Sequence, residues 1–160
     1  MSAGRLVYVA GPSGAGKDSV LAWVRAQLTP TDRVRFARRT VTRPAQPGGE
    51  AHDTVDAETF GRRLVAGDFV MHWRANGLAY GIGGEVLGWL QAGDTVVVNG
   101  SREYLPQALI LFPALELVHV CATPAVLRAE LAARGRENAA QIEKRLARAA
   151  SFSPPPGVPT

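Results

Sequence analysis

The sequence predicts an α/β fold, a mostly parallel sheet flanked by helices. Three observations carry the prediction. Short apolar runs at Leu6–Ala10 (LVYVA), Thr95–Val98 (TVVV) and Leu117–Ala122 (LVHVCA) read as buried strands. Segments with helical apolar spacing lie between such runs, and this alternation favours parallel strands joined by helices. The first run also leads directly into the glycine-rich stretch GPSGAGKDS, Gly11–Ser19, which opens a helical pattern. In such sheets, ligands gather at the carboxyl ends of the strands.

Along the chain, Lys17–Leu28 carries Val20, Leu21, Val24 and Leu28 at helical spacing and is expected to end at Pro30. Arg33–Ala37 reads as a second strand. A polar loop with Pro44, Pro47, Gly48 and Gly49 follows. Asp56 is placed to cap a helix reaching Ala66. Phe69–Trp73 reads as a short strand and Gly83–Gln91 as a helix. Thr95–Val98 is the clearest strand and ends in Asn99-Gly100. Glu103–Phe112 reads as a helix interrupted near Pro106. Pro124 suits the first turn of a helix reaching Arg134. Glu137–Ala150 forms the last helix, and SFSPPPGVPT is expected to be irregular.

The chain has 160 residues, about one domain's length and enough to bury a core. Its hydrophobic fraction of 46% and charged fraction of 20% suit a soluble globular protein. No run approaches about 18 apolar residues, so no membrane-spanning helix is expected. The start, MSAGRLVYVAGPSG, lacks a signal-peptide pattern. The single cysteine, Cys121, excludes an internal disulfide and a cysteine metal cluster, and a cytoplasmic setting is expected. The net charge of +4 favours an anionic partner. The basic residues are spread over several loops, without a Lys/Arg run or interleaved aromatics. That favours a phosphorylated small molecule over nucleic acid or a membrane.

Gly11, Gly16 and Lys17 fit the pattern G-x-x-x-x-G-K, in the strand-to-helix context that gives it meaning. The loop, Gly11, Pro12, Ser13, Gly14, Ala15, Gly16, Lys17, Asp18 and Ser19, is therefore the expected nucleotide site. Its backbone N–H groups can cradle phosphate oxygens at a helix N-terminus, with Lys17 reaching the β- and γ-phosphates. The competing reading is a structural glycine-rich turn. Asp18 stands where Ser or Thr usually offers a hydroxyl to Mg²⁺.

Five stretches taken together resemble the ribose 1,5-bisphosphate phosphokinases, relatives of guanylate kinase. They are GPSGAGKDS, RRTVTRP at Arg38–Pro44, NGLAYG at Asn76–Gly81, VVVNGSR at Val96–Arg102 and RGRENAAQIEKRLARAA at Arg134–Ala150. The resemblance covers about residues 5–150, with the motifs in the same order. It implies a P-loop NTPase fold of the nucleoside monophosphate kinase type. Residues 1–150 would be one kinase domain, with an acceptor-binding segment at about 38–82, a lid at about 134–139 and a Pro-rich tail at 151–160. It implies transfer of the γ-phosphoryl group of ATP to ribose 1,5-bisphosphate, giving 5-phosphoribosyl 1-diphosphate (PRPP), with Mg²⁺ as cofactor. The family is associated with phosphonate breakdown. The resemblance also implies a strand and helix after residue 150, where this sequence runs into SFSPPPGVPT, so an edge strand is expected to lack its neighbour.

Residue by residue, Arg43 matches an arginine that binds the acceptor phosphate, and Tyr80 a tyrosine bonded to the same phosphate. Arg134 and Arg136 match the lid, and Arg145 an arginine on the following helix. A bisphosphate needs a second clamp, for which Arg38, Arg39 and Arg102 are the candidates. Solvated surface charge is the competing reading of each. Glu50 and Asp53 are candidates for binding ribose hydroxyls. Met71 and Ser101 stand where guanylate kinases carry guanine-reading carboxylates, and neither can replace one. The acceptor is already an anionic phosphate oxygen, so no general base is expected. His72 and His119 read as structural, and Trp23, Trp73 and Trp89 as packing groups.

Relatives of this kind place an acidic residue near Mg²⁺ at the end of the central strand, where this sequence has Asn99. An exchange is therefore expected, in which Asp18 supplies that carboxylate, directly or through water, with Ser19 as the alternative hydroxyl ligand. Simple helix capping by Asp18 is the competing reading. Other functional readings are a guanylate or other nucleoside monophosphate kinase, and a non-catalytic guanylate-kinase-like binding module.

Overall fold

The computed structural model of the chain describes residues 3–12, 15–43 and 52–160. Its central sheet is parallel and runs Val34–Phe36 (β2), Thr95–Asn99 (β7), Arg5–Ala10 (β1), Glu116–His119 (β8) from edge to edge. Val9 pairs with Asn99 on one side of β1, and Ala10 with His119 on the other. That register brings three strand ends to one rim, directly under the glycine-rich loop. A strand paired on both sides and covered on both faces must be apolar throughout. Leu6, Tyr8, Val9 and Ala10 are accordingly buried, as are Val96 and Val98.

A second sheet orders His52–Thr54 (β4), Arg39–Val41 (β3), Leu78–Gly83 (β6) and Phe69–Ala75 (β5). β6 runs antiparallel to both β3 and β5. Its sequence, LAYGIG, is weak as a strand in isolation, because glycine offers no side chain to pack. Pairing on both sides fixes it, and a Cβ at Gly81 would strike the Phe69 ring. One core joins the sheets: Tyr8, Val96, Val98 and Leu117 pack in the same cluster as Val41, Met71, Trp73, Tyr80 and Ile82.

The helices follow most of the expected boundaries. Lys17–Gln27 (α1) starts at Gly16, whose φ of 88° is a left-handed conformation natural to glycine. No residue of α1 is buried, and Trp23 is 66% exposed, so it is not the packing group its type suggests. In Ala57–Val65 (α2), the Asp56 cap accepts the Thr59 N–H at 2.7 Å. Gly83 belongs to β6, and Glu85–Gln91 (α3) starts after it. Pro106 lies in the first turn of Leu105–Leu111 (α4), where its missing N–H costs nothing, so it opens that helix and does not interrupt it.

Pro124–Arg134 (α5) is capped by Thr123, and Ala139–Ser151 (α6) by an Asn138–Gln141 capping box. The two pack through Leu127, Leu131, Ile142 and Leu146. β8 is shorter than the apolar run suggested and ends at His119. The tail after α6 is irregular yet docked. The Leu117 N–H donates to the Pro159 carbonyl at 2.8 Å, and Phe152 and Val158 pack on the main core. The edge of β8, expected to lack a neighbour, is thereby partly covered.

Asp94 ties β2 to the turn before β7. It is buried, and it accepts from Arg33 Nε at 2.7 Å and Arg35 Nε at 3.2 Å. The hydrogen bond from Arg35, helped by Arg33, holds its carboxyl below the usual range despite the opposing effect of burial. A depressed folded-state pKa stabilises above the unfolded value, and that stability is lost as pH falls. Asp94→Asn is therefore expected to lower the thermal midpoint at neutral pH. It should also flatten the loss of stability between about pH 5 and 3, as melts across that range would show.

Candidate active site

The rim of the parallel sheet, the second sheet and the α5–α6 hairpin enclose a cleft of about 700 Å³. From the glycine-rich loop and α1, Gly11, Pro12, Gly16, Lys17, Asp18 and Ser19 line it. Ser13 and Gly14 lie outside the described residues. Ala15 instead packs toward the α5–α6 cluster, and its N–H donates to the Pro12 carbonyl at 3.2 Å. Gly11 is sterically required, since a Cβ there would meet the Val120 carbonyl. The loop thus passes tightly between strand ends and delivers the N-terminus of α1 to the cleft.

Arginines reach the cleft from three directions. Arg39 comes from β3 and Arg43 from the bend just after it, Arg102 from the corner after β7, and Arg134, Arg136, Arg145 and Arg148 from the helical hairpin. With Lys17, eight cationic side chains line it among the described residues, against the three carboxylates of Asp18, Glu130 and Glu137. Arg145 pairs with Glu137 at 2.6 Å, and Arg148 pairs with Glu103. Arg102 has a buried Nη1, and Arg43 a buried Nε, with no hydrogen-bond partner among the described residues. Buried polar groups normally have partners, so both atoms mark places for an acceptor. Burial, then the neighbouring Arg148 and Arg145, lower the pKa of Arg102. An anion there would relieve the crowding, and a phosphate suits the planar guanidinium fork.

The corner that carries Arg102 is rigidly built. The Tyr8 hydroxyl donates to the Ser101 carbonyl at 2.6 Å. Burial raises the pKa of this phenol and keeps it a neutral donor. The Tyr8 ring fills the space where a Cβ of Gly100 would stand. Nearby, Asn99 Nδ2 lies 3.5 Å from Asp18 Oδ1, at the limit of a hydrogen bond. The loop carboxylate and the end of the central strand are therefore neighbours. One carboxylate with the adjacent Ser19 hydroxyl fits Mg²⁺, which takes few protein ligands and keeps several waters. Among the described residues, no group of three or more His, Cys, Asp or Glu could hold a metal ion.

The structure brings Arg39, Arg43, Tyr80 and Arg102 to the cleft together with Lys17, Asp18 and Ser19. It does not bring Asp53 there. That carboxylate accepts from Arg38 Nε at 2.7 Å, both side chains are more than half exposed, and neither lines the cleft. Glu50 lies outside the described residues. Ser101 lines the cleft, whereas Met71 is wholly buried in the main core. Sequence reasoning did not place Trp73, Glu130, Glu137 or Arg148 at the site. Trp73 carried a signal, since it follows Phe69 and Met71 at strand period on the inward face of β5. Glu137 precedes α6 and Arg145 lies on it, eight positions later, a spacing outside the i,i+3 and i,i+4 pairs that a helix makes visible.

No family model matches the chain. Among curated proteins, the chain is 48% identical over 157 residues to the ribose 1,5-bisphosphate phosphokinase of Thiobacillus denitrificans, covering 98% of this chain and 83% of that protein. The chain belongs to the ribose 1,5-bisphosphate phosphokinase family. The family member from Chromobacterium violaceum is 51% identical over 154 residues, covering 96% of this chain and 82% of its own. The one from Laribacter hongkongensis is 54% identical over 152 residues; the match covers 95% of this chain but 37% of that longer protein. Among solved structures, guanylate kinase from Anaplasma phagocytophilum superposes with a TM-score of 0.68 at 14% identity, covering 96% of this chain and 76% of that one. The fold expected of this family, a P-loop kinase sheet flanked by helices, is therefore present.

A cleft with this charge should take up simple anions. Inorganic phosphate at low ionic strength is expected to raise the thermal midpoint, and added NaCl should shrink the rise. Arg102→Ala should reduce it, and thermal-shift titrations of both proteins check this.

Proposed function

We propose that this chain transfers the γ-phosphoryl group of ATP to the 1-phosphate of ribose 1,5-bisphosphate, giving PRPP and ADP in the cytoplasm. The observation that carries the reading is 48% identity to a curated ribose 1,5-bisphosphate phosphokinase over 98% of the chain. The excess of cationic side chains in the cleft is what two polyphosphorylated substrates require.

In this reading the loop from Gly11 to Ser19 holds the ATP phosphates, with Lys17 at the β- and γ-groups. Arg43 and Tyr80 orient the acceptor phosphate. Arg39 and Arg102 hold the second one. Arg134, Arg136 and Arg145 close over the transferring group from the hairpin and neutralise its charge. An oxygen of the 1-phosphate forms the new bond to the γ-phosphorus. The bond from that phosphorus to the β-bridging oxygen breaks, and ADP leaves with the electron pair. The attacking oxygen is already anionic, so no side chain has to remove a proton, and catalysis rests on positioning and charge. Asp18 and Ser19 would hold Mg²⁺, which supplies charge neutralisation of the ATP phosphates. The proximity of Asp18 to Asn99 supports the exchange of carboxylate position between loop and strand.

Purified protein with Mg²⁺-ATP is expected to release ADP with ribose 1,5-bisphosphate and not with GMP or ribose 5-phosphate. Release with GMP alone would overturn the reading. Lys17→Ala should cut kcat by about 100-fold or more, as loss of a key transition-state contact does. Asp18→Asn should raise the Mg²⁺ concentration needed for half-maximal rate. An unchanged Mg²⁺ dependence would leave Asp18 as a helix cap only.

A further inference from the structure

Among the described residues, two large aromatic side chains, Trp73 and Tyr80, line the cleft beside the buried His52, and the surfaces of both are taken. Tyr104 stacks on Trp73 with ring centroids 5.5 Å apart. Trp73 stacks on Tyr80 at 5.6 Å, with the ring planes within 6°. The Arg39 guanidinium lies over the Tyr80 ring at 5.1 Å. β6 runs between β3 and β5, so Arg39 and Trp73 reach Tyr80 from opposite flanks. The result is a column of three rings capped by a guanidinium, built across two adjacent strand pairs and the start of α4.

A nucleobase is a flat, weakly polar plate, and proteins hold it by stacking as well as by its edges. Among the described residues, the cleft has no Trp, Tyr or Phe face left for that purpose, and His52 is buried. We propose that Arg39 determines acceptor specificity. Its flat face occupies the last aromatic surface and excludes nucleobases, while its edge N–H groups serve the non-reacting phosphate of a base-free sugar bisphosphate. The inference deepens the functional reading above and rests on it for the identity of that sugar phosphate. Arginine combines a stacking plate with a permanently charged fork of donors along its edge. Lysine offers a point charge and no plate.

The test compares the parent protein with Arg39→Ala and Arg39→Lys. A saturating non-hydrolysable ATP analogue blocks the nucleotide site, and binding of AMP and of GMP is measured by equilibrium dialysis. The parent is expected to bind both weakly, and both variants to bind both at least about tenfold tighter, one order of magnitude being a modest stacking gain. In turnover assays, Arg39→Ala should raise KM for ribose 1,5-bisphosphate about tenfold or more, and Arg39→Lys less, because it keeps the charge. Thermal melts establish that each variant is folded, and dialysis reads the outcome even where turnover is lost. Unchanged AMP and GMP binding in both variants overturns the proposal, as does tight binding by the parent. If ribose 1,5-bisphosphate is not turned over by the parent, yet removing Arg39 admits the bases, the functional reading falls and the role of Arg39 in excluding bases stands.

Discussion

Positive charge without enough negative charge is the constraint on which the site depends. Among the described residues, eight cationic side chains face one cleft with three carboxylates. Two like charges about 4 Å apart repel by roughly 4 kcal/mol at a dielectric typical of a protein surface. Such a cluster must be held apart by its surroundings, and the surroundings are visible. Glu137 pins Arg145, Glu103 pins Arg148, and the ring of Phe152 underlies Arg102. The Tyr8–Ser101 hydrogen bond fixes the corner from which Arg102 projects. Phosphates entering the cleft would relieve the repulsion, so the same arrangement favours polyphosphorylated ligands.

The division of labour follows from topology. The parallel sheet supplies an ordered rim, because strand pairing brings the ends of β1, β7 and β8 to one level. The second sheet shares its core with the first, and Arg39 and Arg43 line the same cleft as Lys17. The hairpin of α5 and α6 has its own small core and carries four arginines to the cleft. Phosphoryl transfer between anionic oxygens needs little beyond such placement, since charge and alignment make up most of the barrier.

Much of this was legible in the sequence because it is local. The glycine-rich loop, the central strand TVVV and the cap at Asp56 depend on residues a few positions apart. The failures have non-local causes. β6 is a strand because β3 and β5 flank it, and its glycines hid it. The helical spacing of α1 suggested a buried face, yet Val20 and Trp23 are largely exposed. The Pro-rich tail is irregular as expected, but its docking was not legible: the Pro159 carbonyl meets an edge amide of β8. At the site, arginine motifs announced phosphate binding, whereas the column from Tyr104 to Arg39 joins residues far apart in sequence. Asp53 shows the reverse case: it is near the motif in sequence, but in the structure it is paired with Arg38 outside the cleft.

Phosphorus NMR of a reaction mixture with ATP and ribose 1,5-bisphosphate would test the central claim most directly. This account predicts that the signal of the sugar 1-phosphate gives way to the coupled signals of a diphosphate while the 5-phosphate signal persists and ADP accumulates. Conversion at the 5-phosphate, or ATP consumption with both sugar phosphate signals unchanged, would contradict it.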